Sequence, residues 1–249
     1  MARQLPGSFP TYQSAVVALY LARSRSTVRS EPCKSNPSKD NYSMGTIVVV
    51  IRVTLDGVVQ GEGGLDEDPR GGFEHGGWST RFDLEHGEDE INQTLLDWEG
   101  NVAALLFGRK TYELFANSWG VFDENTDDFQ GEITRKYNSV PKYVATSTLT
   151  EVGWKDSHLL GPDVPAAVRD LRAELSGEIR MWGSTELIKT LAEHALIDEY
   201  RLAVYPLVLG SGKKLFSDGF TTCELALADN RPLASGVVLS TYRRSAVRS

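Results

Sequence analysis

The chain has 249 residues, 41% of them hydrophobic, and a formal net charge of −8. No apolar run approaches the ~20 residues of a membrane span, and the acidic balance argues against a nucleic-acid surface. Only Cys33 and Cys223 occur, too few for a disulfide framework or a four-cysteine zinc site, so a soluble cytoplasmic protein of one domain, or two small ones, is expected.

The charge is uneven. Residues 1–43 carry +4 and the remainder −12. This first segment is rich in Ser, Arg and Pro, with Ala15–Ala22 its one apolar patch. A targeting peptide, a flexible tail and sequence upstream of the working start compete for it. The patch is short and lacks a convincing small-residue cleavage site, so Met44-Gly45 is favoured as the start. All three readings begin the fold near Met44.

Thr46–Val53 is a continuous β-branched run, the pattern of a strand buried on both faces. It runs into Thr54-Leu55-Asp56-Gly57, a turn signal. Gly61 to Gly77 reads as a long glycine-rich loop, functional or mobile by its length, and is followed by Trp78 and Phe82. A helix is expected over 86–98, with Ile91, Leu95 and Trp98 on one face. Val102–Phe107 is a second strand, leading through Gly108-Arg109-Lys110-Thr111 into a helix. A further helix is placed at 129–138. Lys142–Ala145 is a short strand ending in Thr146-Ser147-Thr148. Pro165 opens a helix at a favoured first-turn position. Ile179–Trp182 is a strand, followed by Gly183-Ser184-Thr185 and a helix that turns Leu187, Ile188 and Leu191 inward. Residues 199–209 read as a long strand in which Pro206 implies an edge or a bulge. Thr222–Ala228 and Val237–Tyr242 close the chain. Helices alternating with strands, then an all-strand tail, indicate an α/β fold with a mixed, mostly parallel sheet and an antiparallel end.

Three strand ends carry phosphate-friendly chemistry: Gly108–Thr111, Thr146–Thr148 and Gly183–Thr185. A helix start offers unpaired N–H groups and the positive end of the macrodipole to an anion. Ser184 and Thr185 serve equally as ordinary helix caps. Ligands of open α/β sheets sit beyond the carboxyl ends of parallel strands, where these corners converge if their strands are parallel. Arg109 offers a planar fork for a phosphate monoester such as the 2′-phosphate of NADP, and Lys110 a point charge. Taken singly, both read as a solvated surface pair. Gly210-Ser211-Gly212-Lys213-Lys214 fails as a P-loop, with Leu207 where the first glycine should stand and Lys214 in the magnesium position. No G-x-G-x-x-G opens a helix after a strand, and His75, His86, His158 and His194 show no metal spacing.

The ordered pieces T-L-D-G (Thr54–Gly57), L-F-G-R-K-T-Y-E (Leu106–Glu113), K-Y-V-A-T-S-T-L (Lys142–Leu149), M-W-G-S-T-E-L-I (Met181–Ile188) and Y-P-L-V-L-G-S-G (Tyr205–Gly212) resemble the dihydrofolate-reductase-like superfamily. The nearest branch is the reductase domain of bacterial riboflavin-biosynthesis deaminase-reductases. The resemblance implies one three-layer α/β/α domain over 44–244, with 245–249 a tail. It further implies NADPH as cofactor, a small heterocyclic, pterin- or pyrimidine-like substrate, and a homodimer through the C-terminal strands. By family position Gly108, Arg109 and Thr111 would hold the pyrophosphate and 2′-phosphate side. Thr146, Ser147, Thr148 and Leu149 would line the adenosine end. Gly183, Ser184, Thr185, Glu186 and Leu187 would present the second helix start. Asp56 would meet the substrate, or a water that protonates it; as a bare residue it reads first as a turn former before Gly57. Dihydrofolate reductases place a carboxylate on the first helix, and Asp83, Glu85 and Asp89 lie in the corresponding region. Trp78 and Phe82 would stack on a flat substrate or pack in the core. The rival from another class is a non-catalytic nucleotide-binding or sensing module on the same fold.

Overall fold

A computed structural model describes residues 44–245; the expectations for 1–43 and 246–249 lie outside the described residues. In chain order the strands are β1 (Thr46–Thr54), β2 (Val102–Gly108), β3 (Lys142–Ala145), β4 (Ser157–Leu159), β5 (Glu178–Trp182), β6 (Glu199–Tyr205), β7 (Leu225–Pro232) and β8 (Val238–Arg244). The helices are α1 (Trp78–His86), α2 (Asp89–Trp98), α3 (Arg109–Ala116), α4 (Phe129–Asn138), α5 (Val164–Glu174) and α6 (Thr185–Glu193). Among the described residues no helix is long and apolar enough to cross a membrane.

The strands form one eight-stranded sheet in the order β4-β3-β2-β5-β1-β6-β8-β7. Pairing is parallel from β4 to β6 and antiparallel for β6–β8 and β8–β7. Successive side chains of a strand point to opposite faces, and β1 shows why its run is apolar throughout. Val48 and Val50 pack with α1–α4 through Phe82, Ile91, Leu95, Tyr112 and Ile133, while Ile47, Val49 and Ile51 pack with α5 and α6 through Val168, Leu171, Ile188 and Leu191. Two cores, one on each face, make the molecule three layers deep.

Several elements depart from the sequence reading. The helix expected over 86–98 is α2, which starts at Asp89; α1, ahead of it, was not expected, and it ends at Gly87, whose φ of 100° lies outside helical space. Trp78 and Phe82 therefore stand on a helix. β6 stops at Tyr205, one residue before Pro206, so this proline ends a central strand and does not mark an edge. The last two strands begin and end later than expected. The three-residue β4 carried too little pattern to be seen.

On the α1–α4 face, Arg180 of β5 is wholly buried. Its Nη1 donates to Glu99 at 2.8 Å, and its Nη2 donates to the Trp98 carbonyl at 2.7 Å and also meets Glu178. Burial pushes the Glu99 carboxyl up against the pull of Arg180. Removing one member of such a group strands the others without water. Arg180→Ala is therefore expected to cost about 3 kcal/mol, read as a lower urea midpoint at unchanged m-value.

Candidate active-site cleft

The sheet order decides the site. β3, β2 and β5 are adjacent and parallel, so the three corners that follow them lie side by side on one edge. They line a cavity of about 1020 Å³ together with Ile51, Gln60, Gly61, Glu62, Glu67, Asp68, Arg70 and Lys213. All of Gly108, Arg109, Lys110, Thr111, Thr146, Ser147, Thr148, Leu149, Gly183, Ser184, Thr185, Glu186 and Leu187 belong to its wall.

Two corners are bonded to each other. The Gly108 N–H donates to Ser184 Oγ at 3.0 Å, and Ser184 Oγ donates to Thr111 Oγ1 at 2.8 Å. Ser184 thus makes no cap bond to its own helix, as its residue type had suggested, but reaches across to the next corner. It does so with φ of 61°, a left-handed conformation uncommon for a residue with a Cβ. In the third corner, Thr146 Oγ1 accepts from the Thr148 and Leu149 N–H groups at 3.1 Å each. Arg109 leans along its helix to Glu113 at 3.0 Å, and Lys110 is exposed. Exposed Glu186, on the first turn of α6, suits the helix dipole itself and opposes an approaching anion.

The loop after β1 closes the other side. Gln60 organises it: its Nε2 donates to the Asp68 and Arg70 carbonyls at 2.8 and 2.9 Å, and its Oε1 accepts from Lys213 N at 2.9 Å. Glycine is required at Gly61, where a Cβ would stand 2.4 Å from the Glu67 carbonyl oxygen. Strand register then delivers Glu62 to the cleft. β1 and β5 pair only as far as Val50 and Trp182. The Arg52 N–H, two residues further on, donates to Glu62 Oε2 at 3.2 Å. Burial pushes the Glu62 carboxyl up to about 7, against the pull of Arg52. Glu67, half-buried like Glu62, is pushed up in the same way while its Oε2 accepts from the Gly64 N–H at 2.7 Å.

Residues 45–239 match the family described as the RibD C-terminal domain. The chain belongs to the RibD C-terminal domain family. The chain is 29% identical over 209 residues to the uncharacterized Bacillus subtilis (strain 168) protein YyaP, covering 82% of this chain and 97% of that one. A Shewanella sp. PV-4 protein described with riboflavin biosynthesis superposes with a TM-score of 0.54 at 21% identity, over 81% of this chain and 99% of that one. A Thermotoga maritima diaminohydroxyphosphoribosylaminopyrimidine deaminase/5-amino-6-(5-phosphoribosylamino)uracil reductase gives 0.52 at 12% identity, over 82% of this chain and 57% of that one. The fold is α/β, with a mostly parallel sheet and an antiparallel end, and it is the fold of these two structures.

Three residues expected at the substrate, Asp56, Trp78 and Phe82, lie outside the cleft wall. Asp56 ties the first turn to the segment after β6. It accepts from Thr54 Oγ1 at 2.6 Å, from Gly210 N at 2.8 Å and from Leu209 N at 3.3 Å. Desolvation pushes its carboxyl up, and these three donors together hold it below the usual carboxylate range. The turn-forming reading is the one the geometry supports. Trp78 and Phe82 are 3% and 7% exposed and pack edge-on against Tyr205; Trp78 Nε1 donates to the Gln60 carbonyl at 2.9 Å. They are core, because the helix they begin turns them under the loop and away from the cavity.

Glu62, Glu67 and Gln60 were missed in the sequence, hidden in a loop without periodicity. The signal that pointed to them was Arg52, a lone cation in an apolar strand, which needs a buried partner. Asp83, on the first helix, accepts from Tyr205 Oη at 2.9 and 3.0 Å and lies 3.8 Å from Arg52. Burial pushes its carboxyl up, opposed by Arg52 and by the Tyr205 hydroxyl.

Ser184→Ala would leave the Gly108 N–H and the Thr111 hydroxyl without this partner, a loss of about 1–3 kcal/mol to be read from the urea midpoint. Glu62 acts on pH dependence. An unfolded chain releases its proton near the ordinary 4.5, the folded protein only at about 7, so this group makes stability fall as pH rises across that interval. Glu62→Gln should narrow the difference in Tm between the two ends of the interval, with its gain over wild type largest at the alkaline end.

Proposed function

We propose that this chain binds NADPH along the β3-β2-β5 edge and reduces a small heterocyclic, pterin- or pyrimidine-like compound by hydride transfer. The observation that carries the reading is the convergence of three glycine- and hydroxyl-rich corners, two of them helix starts, on one cavity. A helix start and its N–H groups favour a phosphate. The donors present fit a dinucleotide: the α3 and α6 starts for the pyrophosphate, Arg109 with Lys110 for the 2′-phosphate, and Thr146 to Leu149 for the adenosine end. Gly108 and Gly183 keep both corners low. A Cβ on either would only reach ordinary contact, 3.4 Å from Ser184 Oγ or Thr111 Oγ1, so the wall there is shaped by hydroxyls.

When bound, the cofactor supplies the hydride; the protein supplies binding, orientation and exclusion of water. Ile51, Leu114, Phe115 and Leu187 give the cleft its apolar lining. The uracil reductase activity in the name of the Thermotoga maritima protein supports a pyrimidine-type substrate here. A homodimer is part of the proposal. β7 is an edge strand exposed along nearly its whole length, and an unpaired edge is a template for a second copy. Light scattering that gives a monomer would remove it.

Quenching of tryptophan fluorescence by NADPH tests the cofactor, and loss of NADPH absorbance with dihydrofolate, an aminouracil and a quinone tests the chemistry. Binding without oxidation of NADPH by any of the three would favour the non-catalytic nucleotide module. Arg109→Ala should weaken NADPH about tenfold, the loss of roughly 1.4 kcal/mol, and leave NADH nearly unchanged. Equal loss for both removes the 2′-phosphate role.

A further inference from the structure

Resting on the NADPH reading above, we infer that Glu62 is the group in this cleft that hands a proton to the atom beside the carbon being reduced. The inference starts from position. β5 ends at Trp182 and the chain turns away at Gly183, while β1 continues to Thr54. Beyond the last β1–β5 pair, the Arg52 N–H of β1 donates to the Glu62 carboxyl at 3.2 Å. Glu62 lines the same cavity as the Gly183 corner. Of the other carboxylates, Asp83 and Asp56 do not line it, whereas Glu67, Asp68 and Glu186 do. Glu67 is bonded within its own loop to the Gly64 N–H, Asp68 is paired with Arg70 and Lys213, and Glu186 stands exposed on α6. Asp83 is engaged by Tyr205, and Asp56 by two backbone N–H groups and the Thr54 hydroxyl.

The charged groups facing Glu62 are Arg52 on β1, Glu67 in the same loop and Asp83 on α1. Arg52 favours the carboxylate, the two acids favour the carboxylic acid, and burial favours the acid most, which leaves Glu62 titrating at about 7. A general acid works best with its proton affinity near the operating pH. The step balances. Two electrons arrive as hydride from NADPH, giving NADP⁺. The Glu62 O–H bond breaks and an N–H or O–H bond forms on the substrate, as a C=N or C=O double bond becomes single. The carboxylate is then refilled by a proton from water, through the end of the cleft where Asp68, Arg70 and Lys213 meet solvent.

Proton release on cofactor binding tests the assignment without a substrate. The full chain, in weakly buffered solution near neutral pH, is titrated with NADP⁺ and separately with NADPH while a pH electrode records the protons released. Both cofactors carry the same phosphates, so the difference between them reports the positive nicotinamide ring acting on a nearby acid. Wild type should release roughly a few tenths of a proton more with NADP⁺, because Glu62 is then close to half protonated. Glu62→Gln should abolish the difference while still binding both cofactors. Glu67→Gln should keep it but move its maximum to lower pH, since the Glu67 charge helps hold the Glu62 proton. An equal difference in wild type and E62Q, or none in wild type with both cofactors bound, overturns the assignment. If E62Q does not fold, an unmoved maximum in E67Q overturns it. Failure of wild type to bind either cofactor overturns the NADPH reading, and this inference falls with it.

Discussion

Parallel pairing of β2 with β3 on one side and β5 on the other is the constraint on which the cleft depends. A parallel neighbour puts all carboxyl ends on one edge, and adjacency puts their corners within reach of a single hydroxyl. Ser184 shows how close that reach is: its Oγ takes the N–H of one corner and gives its proton to the side chain of the same corner's helix. Had one of these strands run the other way, its corner would sit at the opposite edge of the sheet. The same arrangement explains why the strands are apolar on both faces, since helices must cover both.

Charge is the second organising force, and it is concentrated on the α1–α4 face. Arg180 and Arg52 both project from the sheet into that face, each surrounded by carboxylates from neighbouring elements. Their effects differ because their surroundings differ. Arg180 is sealed among Glu99, Glu178 and the Trp98 carbonyl, outside the cavity wall, and it joins α2 to the sheet. Arg52 lies beneath the cleft, where Asp83 and Glu62 compete for it. Burial, opposed by Arg52, pushes both carboxyls up, Glu62 to about 7, which is how a loop residue acquires an unusual proton affinity.

Legibility tracked the distance over which a feature is encoded. β1 and β2 could be read because their apolar runs are continuous, and the Gly108 and Gly183 corners because glycine followed by hydroxyls and a helical pattern is a local signal. Helix α1 was not, since it follows a glycine-rich loop directly and ends at Gly87, whose φ of 100° appears only in the folded chain. Nor was the end of β6. Pro206 announces a disturbance, but whether it bends an edge or terminates a central strand depends on β8 pairing beside it. Asp56 carried the right residue type at a turn, and Trp78 and Phe82 the right aromatic surface. Their neighbours are Gly210 and Tyr205, more than a hundred residues away in the chain.

What the sequence by itself determined is the list of elements and the chemistry of the corners, because β-branched runs, helical periodicity and glycine turns act over a few residues. Only the tertiary structure decided which side chains face the cleft. Glu62 enters it because β5 stops two residues before β1 needs a partner, and Trp78 is excluded because its indole N–H is drawn to the Gln60 carbonyl beneath the loop. Both outcomes are set by strand register and burial, which exist only once distant segments have been brought together.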